Sequence, residues 1–278
     1  MYDLVAAEHP MTVRQVFYRL VGMGLVAKTE GEYKSAVVRL LTELRLEGEL
    51  PFSWIVDTTR WTRKPDTHDG LRDLLEDTAS LYRRDLWRRQ PVYVEVWCEK
   101  EALSGVIYGV TGHWDVPLMV SRGYASLSYL YRAAGAIRAK DKPAFIYFLG
   151  DFDPSGLDIA HQVEKRLSEF APAAEITFER VAVTPAQIDE WILPTRPTKA
   201  SDSRSGRFGA ESVELDAIPP DALRQLVADC IERHMDEEEF ARLKQVEENE
   251  RLALDWFLDK AEDEGFLDEL DGLGEEGE

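Results

Sequence analysis

The chain has 278 residues, 44% of them hydrophobic, enough for two modest domains with real cores, and its apolar runs are far too short to span a bilayer. Its formal net charge of −20 argues against a nucleic-acid binder, because phosphate contacts need Lys and Arg. That charge is uneven: residues 231–278 carry 19 acidic and 5 basic side chains, a net of −14, which leaves −6 for residues 1–230. The two cysteines, Cys98 and Cys230, follow no metal-ligand spacing, and the five histidines form no H-x-x-x-H pair, so no zinc site is expected. Met1 is followed by the mixed acidic segment Tyr2-Asp3-Leu4 rather than a secretory leader, and a reducing cytoplasm is the expected compartment.

In chain order, Thr12-Val13-Arg14-Gln15 has the form of a capping box. Val13, Val16, Phe17, Leu20 and Val21 then trace one buried helical face. A second helix is predicted over Tyr33–Glu47 and a short strand at Trp54–Val56. Two helices and a strand fit a winged helix-turn-helix over residues 1–68. A Leu- and Arg-rich helix, Leu71–Arg89, spans the linker 69–90 and carries the basic pairs Arg83-Arg84 and Arg88-Arg89. From 91 to 235 strands and helices alternate: strands at Val92–Cys98, Pro117–Val120, Ala144–Leu149 and Glu175–Val183, helices at Ala102–Tyr108, Leu127–Lys140 and Leu157–Phe170. Such alternation implies an α/β fold with a mostly parallel sheet. Thr184-Pro185-Ala186-Gln187 caps another helix, Pro194–Gly209 reads as a polar loop, and a helix follows over Asp221–His234. Residues 236–278 form an acidic helix and a Gly/Glu tail that buries too little apolar surface to order itself.

The strongest chemical signal is Gly150-Asp151-Phe152-Asp153-Pro154-Ser155-Gly156, directly after the apolar run Phe145–Leu149. Carboxylates at i and i+2 at a strand end point the same way, and ligands of open α/β sheets collect at those ends. Glu99 ends an earlier strand at the same edge. Three converging carboxylates call for a cation, and hard oxygen ligands suit Mg²⁺. Turn and cap roles for the same aspartates are the bland alternative.

Tyr18 is the second signal. It lies about 130° from the centre of its helix's apolar stripe, on the face of Arg14 four residues earlier. A phenol is only about 0.1% ionised at pH 7, so a nearby guanidinium and a metal would favour the phenolate. An amphipathic tyrosine packed on the neighbouring domain is the competing reading.

These residues resemble a family. Glu99-Lys100-Glu101-Ala102 and Asp151-Phe152-Asp153-Pro154 resemble the Toprim domain of topoisomerases and primases, and Ser121-Arg122-Gly123-Tyr124 resembles the Gly-containing loop of its topoisomerase VI version, where the backbone passes close to the metal site. Thr12-Val13-Arg14-Gln15-Val16-Phe17-Tyr18 resembles the nucleophile motif of the topoisomerase VI A subunit and of the related meiotic break-forming enzyme, with the tyrosine domain first and the Toprim domain second, as here. Among relatives, the short stand-alone Mini-A forms of mobile elements are the most similar. The resemblance covers about residues 10–190 and implies a Mg²⁺-dependent DNA-cleaving transesterase. Tyr18 would form a 5′-phosphotyrosyl link, Arg14 would stabilise the phosphate under attack, and Glu99, Asp151 and Asp153 would hold the metal. It also implies a homodimer acting on double-stranded DNA, with Tyr18 of one subunit facing the metal site of the other. No P-loop occurs and only 17 residues precede Tyr18, which leaves an ATPase partner subunit in doubt.

Lys199, Arg204, Arg207 and Arg122 are the candidate DNA-binding residues, although a solvated linker accounts for the first three equally well. Cys98 reads as a buried thiol at a strand end. Two rival functions stand beside the transesterase: a Toprim nuclease that uses water, and a non-catalytic DNA-binding protein of a mobile element.

Overall fold

The computed structural model describes residues 1–56, 65, 67–198, 208 and 211–265. The chain divides into two compact units: Met1–Arg60 with Pro91–His234, and Trp61–Gln90 with Met235–Glu278. The N-terminal helical segment and the α/β segment thus belong to one unit, and the linker and acidic helix to another.

In the first unit, α1 (Tyr2–Glu8) leads to α2 (Val13–Gly22). The expected capping box opens α2: Thr12 Oγ1 accepts from the Gln15 backbone at 3.1 Å, and Gln15 Oε1 accepts from the Thr12 backbone at 2.9 Å. Arg19 then clamps Glu8, its Nε donating to both carboxylate oxygens at 3.0 and 2.9 Å. The second predicted helix is a run of three pieces: α3 (Glu30–Glu32), a π-helical segment Tyr33–Val38, and α4 (Arg39–Leu46). The strand expected at Trp54–Val56 is reduced to one parallel bridge between Met11 and Ile55, behind a 3₁₀ turn at Phe52–Trp54. Pro51 precedes that turn, and its fixed φ and missing N–H favour a turn over a ladder. Among the described residues of this segment no β-hairpin follows the helices, and the rest of the expected winged-helix region after Val56 lies largely outside the described residues.

The α/β part carries β1 (Tyr93–Cys98), β2 (Leu118–Val120), β3 (Ala144–Leu149) and β4 (Ile176–Ala182), all parallel, in the order β2-β1-β3-β4. The connecting helices are α6 (Ser104–Thr111), α7 (Leu127–Lys140) and α8 (Pro154–Phe170). Strand alternation sends Tyr93, Trp97, Ile146 and Phe148 to one face, where they pack with Leu130, Ala134 and Ile137 of α7 and Ile159, Val163 and Leu167 of α8. Val94, Val96, Cys98, Tyr147 and Leu149, on the opposite face, are also buried, as a parallel sheet requires. Cys98 and Cys230 are free and buried.

Strand order decides where a ligand can bind. After β1 the chain leaves toward β2, and after β3 it leaves toward β4 on the other side. Loops at the carboxyl ends of β1 and β3 therefore part from each other, and the gap they leave is the topological switch point where open α/β sheets hold their ligands. Beyond the sheet come α9 (Pro185–Glu190), opened by the predicted Thr184–Gln187 box, and a two-stranded antiparallel ribbon of β5 (Arg196–Pro197) and β6 (Glu211–Ser212), followed by α10 (Pro220–Glu232).

The second unit contains α5 (Leu71–Leu81) and α11 (Glu237–Asp263). The helix predicted through Arg89 stops at Leu81. Polar groups of α11 capture the chain beyond it: Glu247 accepts from the Arg84 backbone at 2.8 Å and Glu250 from the Tyr82 hydroxyl at 2.7 Å. Among the described residues, no helix is long and apolar enough to cross a membrane.

Candidate active site

Glu99 and Asp151 follow β1 and β3, on the two sides of the switch point. The Asp151 backbone N–H donates to Glu99 Oε2 at 3.2 Å, so the adjacent strand ends are joined by the site's own residues. The turn between β3 and α8 is set by two glycines. A Cβ on Gly156 would stand 2.2 Å from the Asp151 carbonyl oxygen, and one on Gly150 would stand 2.8 Å from Glu99 Oε2. Asp153 caps α8, its Oδ1 accepting from the Gly156 N–H at 2.8 Å, and its Oδ2 meets Arg196 at 3.3 Å. The Gly-containing loop after β2 also reaches this end, the Gly123 N–H donating to the Glu99 carbonyl at 3.2 Å.

Residues the sequence reading passed over complete the cluster. Lys100 Nζ lies 3.0 Å from Asp151 Oδ1, 2.5 Å from Asp216 Oδ2 and 3.4 Å from Glu214 Oε2. Arg196 reaches Glu214 Oε1 at 2.9 Å. Arg180, on β4, donates to the Gly150 and Asp151 carbonyls at 3.0 and 2.7 Å. Two backbone bonds between Phe152 and Val213, at 2.8 and 3.0 Å, fix the Glu214 segment beside the turn, and the Leu215 N–H donates to Asp151 Oδ1 at 2.8 Å. The signal was available: Glu214-Leu215-Asp216 repeats the i, i+2 carboxylate spacing of Asp151 and Asp153. Arg196 and Lys100 offered no comparable spacing.

Tyr18 enters the same network. It is only 3% exposed, and its hydroxyl lies beside the Glu214 carboxylate. Arg14 Nε reaches Glu214 Oε2 at 3.2 Å, and Lys28 sits over the Tyr18 ring at 5.1 Å from its centre. An unbroken chain of contacts, Tyr18–Glu214–Lys100–Asp151, therefore links α2 to the end of β3 within one polypeptide.

The electrostatics differ from expectation at Tyr18. Burial, and next to it the Glu214 carboxylate, raise its pKa above the usual phenol value and outweigh Arg14 and Lys100. Glu99 is pushed up to about 7, first by burial and then by Asp151. Asp151 is also raised by burial, against the pull of Lys100. For Glu214, burial is the largest influence and acts upward, yet Lys100, Arg14 and Arg196 together hold it down at about 2.

The carboxylates expected to bind metal sit at one edge, but the ligand atoms of Glu99, Asp151 and Asp153 do not all lie within 4.8 Å of one another. Glu99 and Asp151 fit a hard divalent cation in kind: both are oxygen donors, Asp151 is buried and Glu99 half-buried, and burial raises the pKa of each, so a cation would favour their charged forms. Asp153 would first have to release Arg196. A His/Asp group that does meet the 4.8 Å spacing is His68 with Asp73 and Asp77, in the second unit, where His68 Nδ1 lies 3.7 and 3.2 Å from the two carboxylates.

Of the candidate DNA-binding residues, Arg122 is largely exposed and paired with Glu101; Lys199, Arg204 and Arg207 lie outside the described residues. Searches with the chain find no matching family model, no matching curated protein and no matching solved structure.

Proposed function

We propose that the chain is a divalent-metal-dependent, DNA-cleaving transesterase of the topoisomerase VI A type, with Tyr18 as nucleophile. The observation that supports this reading is the contact chain Tyr18–Glu214–Lys100–Asp151. Residues 18, 100, 151 and 214 are far apart in sequence, and a phenol has no packing reason to meet an acidic cluster at a switch point.

In the proposed step, the Tyr18 oxygen forms a bond to a DNA phosphorus. The bond from phosphorus to the 3′ oxygen breaks, and the phenolic proton ends on that departing oxygen. Arg14 and Lys100 would stabilise the negative charge that grows on the phosphate. Bound by Glu99 and Asp151, with Asp153 joining them, Mg²⁺ would supply positive charge to the phosphate and the leaving oxygen. One tyrosine cuts one strand, so a homodimer is needed for a double-strand break. Because Tyr18 touches its own chain's network, we place each nucleophile with its own metal site, unlike the exchanged arrangement of the family it resembles.

Burial of Tyr18 favours one other reading, a nuclease that activates water at Glu99 and Asp151 and keeps Tyr18 as a packing residue. Supercoiled plasmid with Mg²⁺, quenched in SDS and run with and without protease, separates the two. The transesterase leaves protein on the 5′ ends. Free 5′-phosphates in both lanes would sink the tyrosine assignment.

A further inference from the structure

Glu214 gathers more positive charge than one carboxylate needs. Its side chain is 6% exposed and meets Arg14 at 3.2 Å, Arg196 at 2.9 Å and Lys100 at 3.4 Å, while the Tyr18 hydroxyl lies beside it as well. Two guanidinium forks, an ammonium and a phenol around one anion form a donor set suited to phosphate. The set also has spare capacity: Arg196 Nε is buried with no hydrogen-bond partner among the described residues, a costly omission unless another acceptor comes to it. A phosphodiester carries one negative charge, as a carboxylate does, so exchanging one for the other leaves the charge of the cluster unchanged. The exchange asks little of the fold, because Val213 is pinned to Phe152 by both backbone bonds and only the Glu214 side chain must swing.

We propose that Arg14, Tyr18, Lys100 and Arg196 form the pocket for one backbone phosphate of the DNA, that Glu214 fills it as an internal stand-in when DNA is absent, and that the phosphate displaces it. The identity of the ligand as DNA rests on the transesterase reading; the anion pocket rests on the geometry alone. Displacing Glu214 also frees the Tyr18 hydroxyl at the moment a phosphate stands beside it, so the nucleophile is released only where it has a target.

Glu214→Gln in the full chain keeps the size of the occupant and removes its charge. Titrated with inorganic phosphate at low salt in a calorimeter, this variant should bind about tenfold more tightly than wild type, and adding Arg196→Ala should cancel the gain. Arg14→Ala, at a half-exposed side chain, tests the pocket in an otherwise wild-type protein: its affinity for a short duplex, read by fluorescence anisotropy, should fall about tenfold while the cooperative melting transition is retained. Phosphate binding by Glu214→Gln no tighter than wild type, or full duplex affinity in Arg14→Ala, overturns the proposal. A gain in phosphate binding without any protein-linked DNA in the wild-type plasmid assay keeps the pocket and rejects the transesterase. Protein-linked DNA without that gain does the reverse.

Discussion

The two units hold their charges in opposite ways. In the first, Lys100, Asp151, Glu214 and Asp216 interlock below the surface, with Asp216 1% exposed. In the second, α5, α11 and the segment between Tyr82 and Gln90 meet through pairs whose arginines are open to solvent: Arg72 with Glu262 at 2.9 Å, Arg83 with Glu247 at 3.5 Å and Arg89 with Glu239 at 3.7 Å. Water and salt screen the second set, whose members can be lost singly with little effect. The first set cannot shed Lys100 without stranding buried carboxylates. Buried ionic clusters of this kind are expensive to keep, and their place at a switch point is a reason to read them as working groups.

The sharpest break in that comparison is chemical. Tyr18→Phe should reduce protein-linked DNA to background while duplex affinity changes little, read on an end-labelled duplex after SDS. Asp151→Ala should do the same in Mg²⁺ and still fold, because Lys100 keeps Asp216 and Glu214. Mixing the two variants sharpens the geometry: with nucleophile and metal site in one chain, the mixture should stay inactive. Recovered cleavage would place Tyr18 at a partner's metal site.

Stability should differ next. Lys100→Ala strands Asp216 and Glu214 and should cost about 3–5 kcal/mol in urea unfolding, whereas Arg72→Ala in the second unit should leave the transition within measurement error. Equal effects would erase the distinction between the units.

The smallest expected effect is on pH dependence, measured without metal. Glu99 is raised to about 7 from an ordinary 4.5, so the folded state binds the extra proton, and stability falls as pH rises from 4.5 through 7. Glu214 is held at about 2, so its contribution is present above 4.5 and is lost as pH falls toward 2. Together they place the optimum of this site near the ordinary carboxyl value. Glu99→Gln should flatten the upper limb of a melting-temperature profile and Glu214→Gln the lower one. A profile that neither variant alters would remove both assignments.

Much of the α/β layer was legible because its signals are local. Strand Ala144–Leu149 and helix Leu127–Lys140 have the predicted bounds, and both capping boxes form as read. The failures came where distant groups decide. Leu71–Leu81 stops early because glutamates of α11 take the next polar groups, and no local pattern announces them. Trp54–Val56 had strand composition but found one pairing partner. At the site, Asp151, Asp153 and Glu99 were visible through spacing. Lys100 and Arg196 were not, because a cation's partners are set by the fold and not by its neighbours in sequence. Tyr18 was expected outside its helix's core beside Arg14 and a metal, yet it is buried, and without a metal burial first, then Glu214 almost two hundred residues away, raises its pKa against the pull of Arg14.

The π-helical segment Tyr33–Val38 has a consequence for length variation. A π turn winds one additional residue into a helix, and such turns are kept chiefly where function uses them. Its first residue, Tyr33, meets the Phe17 ring at 5.3 Å between centres and lies under the Arg14 guanidinium at 5.6 Å. Deleting one residue between 34 and 38 would restore an ordinary helix and rotate Tyr33 by roughly 100° relative to α4. Arg14 would lose the ring that supports it, although no residue of its own helix had changed. A single-codon deletion at this segment is therefore expected to register at the nucleophile's face, and homologues of this chain should vary in sequence here more readily than in length.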